Sequence, residues 1–304
     1  MGPVRSKMGN LGLRRILPRP QAVDVLLLSV LVVTSLLAAV FHSRVAHWPS
    51  LILLDACTAL VFLGLNRVLP RIVGGTGRFF LRFLSVSVAL MVIYETSLRL
   101  TLVFWPSWKD PAVIGLEQAL FGVPPTVWLQ AFVSPGLTEW MMFSYLSYLP
   151  LYPIVGAALY FKRGEEVLEK FLFVISFNNI FCNLLYLVYP VDNPVTGLGP
   201  LHTVPLKGFA FARAGEYIRT HLMTPGGGMP SGHVAATTIM LMTVWRYDRR
   251  LFFLLLPVAV SIILSTFYGR FHYLSDSVMG IAAAFFCWAV APAVRRSLDR
   301  RLAL

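Results

Sequence analysis

Residues 22–42 read AVDVLLLSVLVVTSLLAAVFH, a run of apolar side chains with a single charged residue, Asp24. A helix of about 20 apolar residues spans the hydrocarbon core of a bilayer. Helical structure is expected in this run because the bilayer offers no hydrogen-bond partner to the backbone. Further runs of this kind follow at 50–69, 79–104, 138–161, 169–190, 233–246, 251–269 and 275–294, and the run at 233–246 is the shortest.

The composition of the whole chain agrees with a membrane location. Of 304 residues, 57% are hydrophobic and only 13% are charged. A water-soluble domain cannot cover so much apolar surface with so few charges. We therefore predict an all-α, polytopic membrane helix bundle with about eight transmembrane helices. The net charge is +12, but the basic residues flank the apolar runs, so we assign them to membrane topology and predict no nucleic-acid partner.

The distribution of basic residues predicts the orientation. With the amino terminus in the cytoplasm, 19 of the 26 Lys and Arg residues lie on cytoplasmic segments and 7 on the opposite side. The positive-inside rule then places both termini in the cytoplasm, most simply in a cell (inner) membrane. We divide the chain into a basic cytoplasmic tail (1–21), N-terminal transmembrane helices (22–104) and the remainder of the membrane domain (105–304).

Two loops on the outer side are long. Residues 105–137 combine apolar residues at helical spacing with three tryptophans, which predicts short helices in the membrane interface. Residues 191–230 end in three consecutive glycines, 226–228, followed by Met229 and Pro230. Such a glycine run allows backbone conformations that other residues resist.

The first reactive segment is Met229-Pro-Ser-Gly-His233, at the start of the sixth apolar run. Serine is a preferred N-cap residue before a helical run, and we assign that position to Ser231. The unpaired N–H groups and the positive dipole end of the helix would then face outward, which favours an anion such as phosphate. His233 falls in the first turn beside those N–H groups.

The second reactive segment is Arg270-Phe-His-Tyr-Leu-Ser-Asp276, which leads into the last apolar run. His272 and Asp276 are four residues apart and would share one face if the segment is helical. A carboxylate bonded to one imidazole nitrogen leaves the other nitrogen free as a nucleophile or base. Arg270 is suited to neutralising phosphate oxygens. The predicted topology puts both reactive segments at the same extracytoplasmic face.

Together the two segments resemble a known family. Pro-Ser-Gly-His at 230–233, followed by His-Tyr-x-x-Asp at 272–276, is similar to the type-2 phosphatidic acid phosphatase superfamily, and the similarity covers roughly 110–290. Residues 120–130, 145–152 and 189–192 resemble the branch that includes inositol phosphorylceramide synthases. The resemblance implies a six-helix catalytic core preceded by two extra spans. It also implies a metal-independent lipid phosphate phosphohydrolase or phosphotransferase that needs no cofactor.

The resemblance implies a role for each motif residue. His272 would be the nucleophile that forms a phosphohistidine, and Asp276 would orient it. His233 would protonate the leaving lipid oxygen and later activate the acceptor. Ser231 and the Gly232 amide would hold phosphate oxygens.

Two cations of the superfamily pattern are missing from this sequence. The usual lysine that is followed, after six residues, by Arg-Pro is absent, and Ser265-Thr266 stands where Ser-Arg is usual. The Ser-Thr version is typical of the inositol phosphorylceramide synthase-like branch, whereas Gly232 is typical of phosphatases. We expect Arg270 and Lys207 to bind phosphate instead. Arg213 and Arg219 are further candidates that the sequence does not rank against Lys207.

Hydrolysis and headgroup transfer both remain open, because they differ only in whether water or an alcohol attacks the intermediate. Candidate substrates are phosphatidic acid, polyprenyl phosphates or diphosphates, and sphingolipid-type donors. We expect a lipid phosphate and the bilayer as partners. The sequence does not indicate an oligomeric state.

A transporter or a non-catalytic membrane scaffold is the alternative class. Asp55, Glu95 and Arg99 lie in apolar runs, where ionisable groups are functional candidates. Glu95 and Arg99, however, are spaced to neutralise each other, and Asn179 and Asn183 are expected to bond a neighbouring helix. No inverted repeat is apparent, and a transporter leaves the two histidine segments unexplained. Residues expected only to pack or to lie in the interface are Tyr145, Tyr148, Tyr152, His42, His47, His202 and His221.

Overall fold

The computed structural model describes residues 20–67 and 73–303, so most of the predicted basic tail lies outside the described residues. Within the described ranges the chain is helical and contains no β-strand, as predicted. The α-helices are α1 (Ala22–Val40), α2 (Trp48–Arg67), α3 (Gly75–Arg99), α4 (Asp110–Phe121), α5 (Pro125–Trp128), α6 (Pro135–Arg163), α7 (Glu165–Val188), α8 (Pro194–Leu198), α9 (Ala210–Tyr217), α10 (Gly232–Tyr247), α11 (Arg249–Tyr268) and α12 (Leu274–Ala303).

The helix lengths define a multi-pass membrane protein. Seven described helices, α1, α2, α3, α6, α7, α11 and α12, are long and apolar enough to cross a membrane. Each of the eight predicted apolar runs overlaps a described helix, although α3 ends at Arg99 and α10 has only 16 residues. Its length of about 24 Å is less than the ~30 Å of a typical hydrocarbon core. The bent pair Asp110–Phe121 and Pro125–Phe132, with 66° between its members, meets the length and composition criteria as one further span.

Capping residues in the sequence set the helix boundaries. The Ser134 hydroxyl accepts a hydrogen bond from the Leu137 N–H and begins α6. Asp248 accepts from the Leu251 N–H at 3.1 Å and separates α10 from α11. Between α6 and α7 stands Gly164, whose φ of +87° is unfavourable for residues with a side chain. These caps keep consecutive spans distinct although the connections between them are short.

The bundle has two chemically different ends. At the histidine end, α10 and α12 begin side by side, since the Ser231 N–H donates to the Asp276 backbone carbonyl at 2.9 Å. At the basic end, α6, α10 and α12 finish while α7 and α11 begin. There Arg163 donates to the Tyr247 carbonyl, and Lys162 pairs with Asp248 at 2.6 Å. Helix α10 therefore reaches both ends despite its short length.

Helix α7 lies at the centre of the bundle. Its residues Phe171, Leu172 and Phe173 are almost fully buried in the main apolar cluster. Helices α1, α2, α3, α6, α10, α11 and α12 also contribute buried residues to this cluster. In α3, two turns from its start, Arg82 bonds both Asp24 and Glu169 at 2.6 Å. These three mostly buried charges tie α1 and α3 to α7, and each finds an opposite charge, as buried ions require.

Candidate active site

The two histidine segments meet where α10 and α12 begin. The ring centroids of His233 and His272 are 6.2 Å apart. A Cβ atom at Gly280, in the second turn of α12, would lie 2.7 Å from the Ser231 carbonyl oxygen. Because real Cβ atoms do not approach oxygen so closely, a glycine at 280 lets α12 pack directly against the start of α10. The structure thus brings together side chains that lie about 40 residues apart in sequence.

Hydrogen bonding fixes the orientation of the His272 ring. Its Nδ1 lies 3.0 Å from the Gly228 carbonyl oxygen and 3.5 Å from Asp276 Oδ2. A carbonyl oxygen only accepts hydrogen bonds, so Nδ1 carries the proton. In the neutral ring, Nε2 then keeps its lone pair and is available as a nucleophile or base.

Asp276 reaches His272 without the helical geometry that their spacing suggested. Helix α12 begins only at Leu274, so His272 lies in the preceding turn. Asp276 Oδ2 accepts from the Tyr273 N–H at 2.8 Å, the side-chain half of a capping box at the third helical position. This capping bond directs the carboxylate back towards the histidine. Asp276 is fully buried, and its Oδ1 has no hydrogen-bond partner within the described chain.

Aromatic rings enclose His233, the second residue of α10. Its ring stacks on Tyr145 with centroids 4.8 Å apart and contacts Tyr148 at 4.6 Å. Tyr145 in turn stacks on Phe271, the neighbour of His272 in sequence, at 3.9 Å. We expected these tyrosines only to pack. Tyr152 packs against Phe83, as expected, but Tyr145 and Tyr148 both contact the His233 ring.

The glycine run shapes the loop that faces His272. Gly226 and Gly227 have φ values of +99° and +73°, which side chains rarely adopt. A Cβ at Gly228 would lie 2.5 Å from the Asp192 carbonyl oxygen, so a glycine is needed there for close approach. The glycine run therefore brings the Gly228 carbonyl oxygen within hydrogen-bond distance of His272 Nδ1. At the adjoining helix start, Ser231 is the N-cap that its position predicted, since its hydroxyl accepts from the Val234 N–H. Gly232 follows as the first residue of α10.

The two cations that we expected to bind phosphate differ in their surroundings. Arg270 is buried, adopts φ +62°, and donates to the Val204 carbonyl at 2.6 Å. Burial, together with the charge of Arg219, lowers the pKa of Arg270 to about 10. Lys207 is exposed. No hydrogen bond or ion pair in the described chain links either cation to His233 or His272.

His202 lies close enough to Arg270 and Arg219 to be affected by their charges. Its Nε2 lies 3.3 Å from the Thr126 hydroxyl. Burial and the charges of Arg270 and Arg219 lower the pKa of His202 to about 4. The ring is thus neutral at physiological pH, which fits a structural role.

Helix α4 holds the segment that carries His272 and Asp276, and sequence reasoning missed this contact. Asp110 accepts from the Tyr273 hydroxyl at 2.9 Å. Two turns later, Glu117 accepts from both the N–H and the hydroxyl of Ser275 at 2.8 Å. Both acids are buried. The seven-residue separation of two acids on one helix was the available signal, because it places them on one face.

The ionisable groups that favoured a transporter, Asp55, Glu95 and Arg99, all have partners within the protein. Asp55 accepts hydrogen bonds from the hydroxyls of Thr34, Ser35 and Thr96. Glu95 and Arg99 pair with each other at 2.7 Å, as expected. Asn183 bonds Asn179 on its own helix, whereas we had expected a bond to a neighbouring helix. Residues His42, His47 and His221 are exposed, which suits interface positions.

Across residues 20–67 and 73–303, no group of three or more His, Cys, Asp or Glu side chains is arranged to hold a metal ion. A family model described as the PAP2 superfamily matches residues 111–290, more than half of the chain. The matched region begins in α4 and includes both histidine segments. Comparison with curated proteins and with solved structures gave no significant match.

Proposed function

Because this chain belongs to the PAP2 superfamily, a group of phosphatase-type enzymes, we propose that it cleaves a membrane lipid phosphate through a phosphohistidine intermediate. One observation carries this proposal. The Gly228 carbonyl and Asp276 both face Nδ1 of His272, so its Nε2 keeps a lone pair beside the ring of His233.

The first half-reaction forms the intermediate. His272 Nε2 attacks phosphorus while the bond between phosphorus and the lipid oxygen breaks. The protonated His233 ring gives its proton to the departing oxygen, so the lipid leaves as an alcohol. The phosphorylated His272 ring is cationic, and the Asp276 carboxylate 3.5 Å from Nδ1 balances this charge.

The second half-reaction reverses these roles. Neutral His233 takes a proton from water or from an acceptor hydroxyl, and the resulting oxygen attacks phosphorus. The bond between phosphorus and Nε2 breaks, its electron pair returns to His272, and phosphate or a new phosphoester leaves. Developing charge on phosphate would be stabilised by the N–H groups of Gly232 and His233 at the start of α10. Ser231 sets that helix start.

Transfer of a headgroup to an alcohol is the second candidate, and residue 266 favours it. Thr266 stands where the superfamily pattern has arginine. It is fully buried, and its hydroxyl lies 3.0 Å from that of Ser277. This position therefore supplies a neutral contact between α11 and α12 and no cation for free phosphate. That substitution is typical of the inositol phosphorylceramide synthase-like branch.

The proposed reaction takes place at the extracytoplasmic face of the cell membrane, because basic residues concentrate at the opposite end of the bundle. Both termini then lie in the cytoplasm. The lipid would enter from the outer leaflet with its phosphate at the start of α10.

Purified full-length protein incubated with labelled phosphatidic acid, polyprenyl diphosphate or a glycerophospholipid tests the proposal. Each incubation is run with and without inositol or ceramide, and the products are identified by mass. We expect release of phosphate or formation of a new phospholipid in the wild type and neither in His272→Ala. A folded wild-type protein that turns over none of these substrates, while a characterised lipid phosphatase does so in parallel, would contradict the proposal.

A further inference from the structure

A cavity lies at the basic end of the bundle, away from the histidines. It occupies about 540 Å³ between α7, α10 and α12. Ligand pockets commonly occupy about 300–1,000 Å³. Because α10 and α12 begin at the histidine end and finish here, the cavity and the candidate active site lie at opposite ends of the same helices.

The lining of this cavity is divided by chemistry. Phe173 and Trp288 belong to its apolar part, and Phe173 is almost fully buried. The polar part carries four basic side chains: Lys170, Arg246, Arg295 and Arg296. An apolar wall next to a basic rim suits a molecule that has both a hydrocarbon chain and an anionic group.

Only two of the four basic side chains on the rim have an acidic partner among the described residues of the protein. Lys170 pairs with Glu166 at 2.5 Å, and Arg295 contacts Asp299 at 3.5 Å. These two acids are the only ones among the residues that line the cavity. Arg246 and Arg296 have no carboxylate partner in the part of the chain that the structure describes. Two guanidinium groups beside an apolar cavity thus lack a counter-charge, and each can bind phosphate through paired N–H groups.

We propose that this cavity binds the phosphate headgroup of an anionic phospholipid, with one acyl chain against Trp288 and Phe173. The proposed lipid is not the substrate, because the cavity lies at the far end from His233 and His272. A headgroup held by Arg246 on α10 and Arg296 on α12 would join these two helices where they emerge from the bundle. Basic pockets between transmembrane helices on the cytoplasmic side are suited to such lipids. The proposal does not depend on the reaction at the histidine end.

Quenching of Trp288 by brominated lipid tests this site. Full-length protein in neutral detergent is titrated with phosphatidylglycerol or phosphatidylcholine that carry the same dibrominated chains. The contribution of Trp288 is obtained by subtracting the tryptophan fluorescence of the Trp288→Phe variant from that of the wild type. We expect quenching of Trp288 at a clearly lower mole fraction of phosphatidylglycerol than of phosphatidylcholine.

Arginine-to-glutamine variants test which side chains provide the preference for phosphatidylglycerol over phosphatidylcholine. Arg246→Gln/Arg296→Gln should weaken phosphatidylglycerol binding by about tenfold or more, since two contacts with the headgroup are lost. Arg300→Gln/Arg301→Gln removes the same charge from the last turn of α12 outside the cavity, so it should keep the preference. His272→Ala should also keep it, which separates this site from the reaction.

Three results would overturn the proposal. The first is equal quenching by the two lipids, and the second is an equal loss in both double variants, which would indicate only general surface charge. The third is loss of Trp288 quenching when excess inorganic phosphate displaces the brominated phosphatidylglycerol, with a phosphate ester that has no acyl chain displacing it equally well. That result would indicate a simple anion site. Thermal unfolding of each variant establishes that the proteins compared are folded.

Discussion

Replacing Asp276 by asparagine separates the two functions of this carboxylate, its charge and its effect on the His272 tautomer. The amide oxygen of asparagine can still accept from the Tyr273 N–H, so the start of α12 should persist. The Gly228 carbonyl still accepts from Nδ1 at 3.0 Å and should keep the proton on that nitrogen. Only the negative charge next to the ring is lost.

The size of the effect follows from these contacts. A hydrogen bond to a charged group contributes about 1.5–3 kcal/mol, which corresponds to roughly 10- to 150-fold in rate. The contact of 3.5 Å is long for such a bond, which favours the lower part of that range. Loss of the correct histidine tautomer in a catalytic triad lowers kcat by about 10⁴-fold. Loss of the charge alone and loss of the tautomer therefore give clearly different rates.

Initial rates on a short-chain lipid phosphate in detergent measure this difference. We expect Asp276→Asn to lower kcat by roughly 10- to 150-fold, towards the lower end, and to leave KM nearly unchanged. His272→Ala gives the inactive baseline. A folded Asp276→Asn protein as inactive as His272→Ala would show that the Gly228 carbonyl does not hold the tautomer. Unchanged kcat would show that the reaction does not use the charge of Asp276.

Three further changes test the surroundings of the site. Glu117→Ala leaves the Ser275 N–H and hydroxyl without their acceptor, so it should cost roughly 1–3 kcal/mol of unfolding free energy; an unchanged thermal midpoint in detergent, with Glu117→Gln in parallel, would argue against the α4 contact. Gly280→Val should separate α12 from α10 and reduce activity far more than Gly64→Val, since a Cβ at Gly64 meets no atom within 4 Å; equal activities would refute this. In intact cells, cysteine at position 210 should react with an impermeant thiol reagent and cysteine at position 166 should not, and the reverse pattern would put the histidine end in the cytoplasm.

The sequence was sufficient to predict the helices, because bilayer-length apolar runs leave the backbone no alternative to helical hydrogen bonding. Each of the eight predicted runs overlaps a helix in the described part of the chain. Ser231 occupies the N-cap that its place before an apolar run predicted. The juxtaposition of the two histidine segments was also predictable, since alternating spans bring the starts of α10 and α12 to one end of the bundle.

The contacts that position the site were less predictable. The spacing of Asp110 and Glu117 on α4 indicates a shared face. The partner Ser275 is 158 residues from Glu117, so the local pattern does not indicate which residue Glu117 binds. The spacing of His272 and Asp276 indicated a contact, but the assumed helical geometry was wrong, because Asp276 caps α12 and the helix begins after the histidine. Similarly, the stacking of His233 on Tyr145 depends on how α6 packs against α10, which a single sequence does not specify.

Trapping of the phosphoenzyme tests the central claim most directly. Wild type, His272→Ala and His233→Ala are mixed with a phosphate-labelled substrate, quenched rapidly in base, and assayed for acid-labile, base-stable phosphoprotein. An aryl phosphate is included because its leaving group needs no proton. We predict trapping in the wild type, none in His272→Ala with any substrate, and recovery of trapping in His233→Ala with the aryl phosphate. Phosphate trapped on His272→Ala but not on His233→Ala would reverse the two roles, and turnover by the wild type without any trapped phosphoprotein would contradict covalent catalysis by His272.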